Sequence, residues 1–282
     1  MQVRARLQIL AAAVLWSTSG AAIKLTGLSG WQVAGGRSLC AAAFILVAFR
    51  SARARPDRRV LLAGAAYAAT VVLFAVANKL TTSASAIFVQ DIAPLWVVLL
   101  SPLLLRERPT RSELLSIPLY GAGLVLFFLD ELSPGQVTGN LVALGSGFAF
   151  AFCIVGLRGV GRGAIAAVAW GNLMAAAVAL PLWTAGPAAT PRDLALLAYL
   201  GVFQLGLAYV LFARGVEHTP AVEASLLCLL EPVLNPIWAF LFAGERPGPW
   251  AMAGGATVLG VTAVRTLRTA VAPPSLSSSS RG

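Results

Sequence analysis

Ten apolar runs follow one another along this 282-residue chain, separated by short polar or basic segments. They are Leu7–Thr26, Trp31–Phe49, Val60–Asn78, Ala84–Leu105, Leu114–Leu129, Leu141–Leu157, Ala164–Trp183, Leu194–Ala213, Ala221–Ala243 and Trp250–Val264. Each is close to the ~20 residues that cross the hydrocarbon core of a bilayer. The fifth and sixth are short and are expected to extend into their flanks. No water reaches backbone amides at that depth, so runs of this length must satisfy their own hydrogen bonds as helices. Composition agrees: 58% of residues are hydrophobic and 11% charged, against about half and a quarter in a soluble domain. The expectation is an all-α integral membrane protein of ten transmembrane helices, with no connecting segment large enough for a soluble domain.

The net charge of +10 invites a nucleic-acid reading. The placement of the charges argues against it. With the N-terminus inside and ten crossings, the inner segments hold sixteen arginines and the outer loops only Lys79, Arg192 and Arg246. That bias sets topology, with both termini cytoplasmic, and favours contact with anionic lipid. Cys40, Cys153 and Cys228 fall inside apolar runs without metal-ligand spacing and read as small buried hydrophobes. No metal and no cofactor is expected. The first run has basic residues before it, as a signal peptide would, but its apolar stretch is long for one. It is read as the first membrane helix. The Pro/Ser-rich segment 269–282 is expected to be a disordered tail.

The triplet Glu107-Arg108-Pro109 returns 138 residues later as Glu245-Arg246-Pro247. Laying Thr81–Pro109 over Thr219–Pro247 gives seven identities in 29 positions: Thr81, Ala86, Pro94, Leu103 and the triplet, each with its counterpart. The prolines, Pro94 and Pro232, and the triplet carry the match; leucine and alanine identities come cheaply in an apolar chain. Internal duplication of a many-helix membrane chain points to transport. Residues 1–130 and 137–268 are read as two five-helix repeats. An odd helix count per repeat makes the second insert upside down. Thr110-Arg111-Ser112-Glu113 fits a capping box that starts the fifth helix. The triplet glutamates are read as boundary charges in a tight turn.

These features resemble the EamA-type transporters of the drug/metabolite transporter superfamily. The resemblance is carried by Leu15-Trp16, Ile23-Lys24, Arg37, Ala93-Pro94-Leu95 and Leu105-Arg106-Glu107-Arg108, and by Leu230-Glu231-Pro232-Val233 and Gly244-Glu245-Arg246 in the second half. It covers about residues 7 to 267. One departure is Arg106, where such proteins often carry glycine; Gly244 keeps it. The resemblance implies a secondary transporter, not an enzyme. Such a protein would move a small organic metabolite, an amino acid or related solute, outward across the cytoplasmic membrane by alternating access. It also implies a cavity framed by runs 3, 4, 8 and 9 with runs 1 and 6, which places Trp16 there. Homodimers and proton coupling are compatible with it. An integral membrane enzyme or a non-transporting membrane sensor is the alternative. The single histidine and the lack of a nucleotide-binding loop count against the enzyme.

The residues themselves suggest where a site would lie. A charge in mid-membrane costs on the order of 2.5–3.5 kcal/mol on insertion scales and so needs a reason. Asp91 and Glu231 are two such charges. Each sits beside a proline that cannot donate to a carbonyl one turn back, that of Gln90 or of Cys228. In the repeat alignment the two acids miss equivalence by two positions. Helical spacing adds Asn235 and Trp238 to the Glu231 stripe, Gln90 to the face of Pro94, and Tyr67, Phe74 and Asn78 in the third run. Gln204 and Tyr209 lie in the eighth run on different faces of an α-helix. An aromatic and amide lining suits a small solute with an apolar body and a few polar groups. Lys24 and Arg37 could attract a substrate carboxylate or pair structurally with a buried acid such as Asp91. The aromatics could equally pack between helices, and the amides could bond helix to helix. Glu231 is the strongest single candidate, as a proton-coupling residue.

Overall fold

The computed structural model describes residues 2–129, 137–234, 238 and 249–271. Among these residues all regular structure is helical. The helices are α1 (Gln2–Trp16), α2 (Ser19–Leu25), α3 (Gly30–Ala48), α4 (Arg58–Leu80), α5 (Ser83–Gln90), α6 (Ala93–Leu104), α7 (Arg111–Phe128), α8 (Val137–Val160), α9 (Ala164–Ala179), α10 (Pro191–Tyr199), α11 (Ala208–Val216), α12 (Ala221–Cys228) and α13 (Pro249–Val271). Leu200–Leu207 joins α10 to α11 as a π-helical segment. Six stretches among the described residues are long and apolar enough to cross a membrane. The expected count was ten. One of the six, Val137–Ala185, holds both α8 and α9; α7 is not among them, and the ninth run passes Leu234 into residues outside the description. Glu245-Arg246-Pro247, Asn235 and the tail from 272 also lie outside it.

Local chemistry sets the helix starts. Ser29, Thr110 and Thr190 each form a full capping box with the residue three positions on, so Thr110 and Glu113 start α7 as the sequence predicts. Both prolines singled out in the sequence mark breaks. The fourth run stops at Asp91 and resumes as α6 with Pro94 in its first turn, where no amide hydrogen is needed. α12 ends at Cys228 and the chain is helical again over 230–234, which contains Pro232. Two further interruptions carry no proline. The first run breaks at Ser17 and Thr18, whose hydroxyls donate to the carbonyls of Val14 and Leu15 at 2.6 and 2.8 Å. The eighth run widens into the π segment.

Packing joins the front half of the chain to the back half. α4 lies along α8 and α9, α3 along α9 and the π segment, α1 along α11, and α7 along α13. Exchanging the helices of the two halves in order maps these pairs onto one another, as a twofold relation would. Small residues allow the close crossings. A Cβ built on Gly147 of α8 would lie 2.6 Å from the Gln90 carbonyl oxygen, the group that Pro94 leaves without a helical donor. That carbonyl therefore faces the α8 backbone.

Arginines gather at one end of the bundle, around the start of α1, the end of α6 and the end of α8; we call this the arginine-rich face. At the end of α6, Arg106 has φ 58°, the left-handed region that costs a side-chain-bearing residue roughly 1–2 kcal/mol. The glycine that the resemblance leads one to expect would relieve it. Arg106→Gly should raise stability by about 1 kcal/mol, seen as a higher Tm of the purified protein. An unchanged or lower Tm would mean that other Arg106 contacts outweigh the backbone term.

Candidate functional site

Three broken runs and the π segment converge midway through the bundle. Between them lies a small cavity of about 20 Å³, lined by Trp16, Arg37, Val71, Phe74, Gln90, Gln204, Leu205, Tyr209 and Glu231. That is room for about one water molecule. Six residues expected at a site are thus brought together from six different runs: Trp16, Arg37, Phe74, Gln90, Gln204 and Glu231. Asp91, the neighbour of Gln90 in the chain, is buried and leaves its Oδ2 without a hydrogen-bond partner.

The π segment explains a residue that helical spacing misplaced. On an α-helix Gln204 and Tyr209 point apart. In a π turn hydrogen bonds run from i to i+5, and these two residues, five apart, both reach the cavity. Tyr209 then nucleates an aromatic cluster. Its ring centroid is 4.5 Å from that of Tyr67 and 4.6 Å from that of Trp16, and Trp16 also packs on Phe212 and Phe150. Tyr67 thus stands one layer behind the cavity, its hydroxyl accepting from Asn172 Nδ2 at 2.9 Å. Asn172, in the seventh run, gave no sequence signal because a lone amide in an apolar helix has no spacing partner.

Arg37 is the decisive group. It is fully buried (0% exposed) and donates to Gln204 Oε1 at 3.3 Å and to the Val71 carbonyl at 2.6 Å. Its Nε has no partner. The described residues contain two ion pairs, and Arg37 is in neither. The expected structural pairing of Arg37 or Lys24 with a buried acid is therefore not found. Arg37 spends two of its five donors on an amide and a carbonyl instead. Lys24 is exposed at the far face, where it donates to the Thr81 carbonyl at 2.8 Å, away from the cavity. The indole nitrogen of Trp16 is likewise buried without a partner.

Two other candidates are placed elsewhere. Asn78 is buried but turns its amide back onto the Phe74 carbonyl of its own helix at 3.1 Å. Trp238 donates to Ser17 Oγ at 2.7 Å, so it meets the break in the first run.

A central cavity at helix breaks, with a buried cation and two acids, is the architecture of a solute pathway. The EamA-like transporter family matches residues 4–129 and again residues 137–266. The chain belongs to the EamA-like transporter family. A Bacillus subtilis (strain 168) protein named "Uncharacterized transporter YwfM" is 30% identical to this EamA-like transporter over 267 residues, 90% of each chain. An "Uncharacterized transporter" of Archaeoglobus fulgidus is 27% identical over 73% of this chain and 75% of its own. A "Probable terminal-alkyne amino-acid exporter" of Streptantibioticus cattleyicolor is 37% identical over 114 residues, 39% of this chain and 37% of that one. A crystal structure 22% identical in sequence superposes with a TM-score of 0.79, covering 96% of this chain and all of the other, which shows a shared fold. The protein is thus a multi-pass membrane transporter whose partners are a small molecule and the surrounding lipid.

Proposed function

We propose that this EamA-like transporter moves a small zwitterionic solute, an amino acid or close relative, by alternating access between two inverted five-helix repeats. The observation that carries this reading is Arg37, a buried cation that forms no ion pair among the described residues, lining a cavity that Glu231 also lines. An unpaired charge away from water is expensive unless something arrives to neutralise it. A substrate carboxylate does so at Arg37, and its ammonium group is matched by Asp91 and Glu231. Gln90 and Gln204 complete the polar contacts, while Trp16, Phe74 and Tyr209, backed by Tyr67, hold the apolar body. The name borne by the Streptantibioticus cattleyicolor protein supports the amino-acid class and the outward direction. The arginine-rich face is assigned to the cytoplasm by the excess of positive charge there.

In this reading the present conformation is a contracted one, because the cavity is too small for a solute. Binding a substrate requires the helices to part at their breaks. Counterflow in proteoliposomes tests the class directly. Amino acids should exchange, and amide or decarboxylated analogues of the same side chain should not. Equal exchange of both would remove the Arg37–carboxylate contact from the mechanism.

Glu231 is assigned to proton coupling. It is a carboxyl at mid-depth, on the segment that follows a helix break, and such groups form proton relays in transporters. Glu231→Gln should transport with a flat response to an imposed pH gradient, whereas the parent accelerates. A pH response unchanged in the variant would leave uniport or substrate exchange as the mechanism.

A further inference from the structure

Both ion pairs among the described residues lie on the arginine-rich face, and both join the front half of the chain to the back half. Arg6 of α1 meets Glu223 of α12, with Nε 2.7 Å from Oε1 and the second guanidinium nitrogen 3.3 Å from Oε2. Glu107, just past the end of α6, takes Arg158 Nε of α8 at 2.8 Å on one oxygen and the Ala221 amide of α12 at 3.1 Å on the other. Arg158 also donates to the carbonyls of Val216 and Glu217 at the end of α11. One carboxylate of the recurring triplet therefore holds the ends of α6 and α8 and the start of α12 together.

Crossings at the opposite face are of another kind. The Gly27 amide donates to Asp193 Oδ1 at 2.9 Å, Gln32 donates to the carbonyls of Trp183 and Pro187, and Thr81 meets Asn140 at 3.0 Å. The two lysines at that face stay within the front half, on the carbonyls of Thr81 and Thr26.

The partners at the arginine-rich face are distributed unevenly between rigid and hinged elements. α1 carries Arg6 and ends at the Ser17–Thr18 break. α6 leads to Glu107 and begins at the Asp91–Ile92 break. α12 carries Ala221 and Glu223 and ends at Leu229. Each of these short rods has its charged contact at the arginine-rich end and its hinge at the depth of the cavity. α8, which holds Arg158, is unbroken over 24 residues and is a fixed post.

We infer that Glu107–Arg158 and Arg6–Glu223 form the latch that closes the arginine-rich face of the transport path. The pairs part when α1, α6 and α12 swing outward from their breaks, and this opens the cavity to that side. The inference rests on the alternating-access reading, but its test needs no substrate. Val71 lines the cavity and is 2% exposed. Val71→Cys is introduced into a chain whose three cysteines are replaced by alanine. Its reaction with a membrane-impermeant maleimide is then timed from each side of oriented proteoliposomes. Glu107→Gln keeps the acceptor for the Ala221 amide and removes the charge. It should speed labelling from the arginine-rich side about tenfold and leave the opposite side unchanged. Asp193→Asn should do the reverse.

No acceleration in Glu107→Gln, or equal acceleration from both sides, overturns the latch, given a single gel-filtration peak and a cooperative melt. Should Glu107→Gln fail to fold, Glu223→Gln is read in the same way. A protein that showed no flux for any solute but gave side-specific labelling would sink the transport reading while keeping the latch.

Discussion

Replacing Arg37 by methionine abolishes amino-acid counterflow and leaves the Tm unchanged or higher. The two halves of that result come from one geometry. Arg37 is enclosed on all sides and is in neither of the described ion pairs. In the empty protein its charge is a burden, and methionine fills the same slot with a flexible apolar chain. In the loaded protein the guanidinium meets a carboxylate away from water, and truncating one member of such a pair costs about 2–5 kcal/mol. Transport efficiency should therefore fall roughly 30-fold or more. Arg37→Lys keeps the charge but loses the planar fork, and it should fall between the two. Initial rates in proteoliposomes and melts of the purified protein read the two arms. A variant that lost stability in step with transport would make Arg37 a structural residue.

Gly147→Val should be strongly destabilising. The Cβ that any substitution adds at Gly147 would sit 2.6 Å from the Gln90 carbonyl oxygen and 3.1 Å from the Gln90 Cα. Those are backbone atoms at a helix break, and they cannot step aside as a side-chain tip can. Overpacking of one methyl already costs about 1–3 kcal/mol, and a branched side chain costs more. Relief would have to come from displacing Gln90, which carries Asp91 with it, so surviving protein should also transport poorly. Gly121 of α7 is the control, since a Cβ there would meet nothing within 4 Å. Gly121→Ala should leave the Tm the same or raise it slightly, because alanine is the better helix former. If both variants melted alike, the close α8–Gln90 approach would be of no consequence.

Much of this could be read in the residues. Apolar run lengths located the helices, because the bilayer sets one length for all of them. The Thr110–Glu113 capping box and the breaks beside Pro94 and Pro232 were legible because caps and prolines act within one turn of their own position. Arg37 and Glu231 stood out because charges at that depth are rare. The misses share a cause. The break at Ser17–Thr18 arises from hydroxyls that bond their own backbone, a competition that these residues lose in most helices. The pairing of Gln204 with Tyr209 required a π turn, and a wheel drawn at α spacing separates them. Arg6 and Glu223 are 217 positions apart and carry no local sign of each other. The sequence also prompted a structural pairing for Lys24 that three-dimensional placement removes, since the lysine sits at the far face.

The π segment also bears on how a site of this kind diverges. Leu200–Leu207 accommodates its wide turn by one residue more than an α-helix would use over the same rise. Removing a single residue between Gln204 and Tyr209 would restore ordinary winding and leave the two four positions apart, which is again one face of an α-helix. Gln204 would stay in the lining and Arg37 would keep its amide neighbour. The pair can therefore survive a change in chain length here as readily as an exchange of neighbouring residues. An alignment that allows no gap in this helix would place the two out of step in a relative one residue shorter.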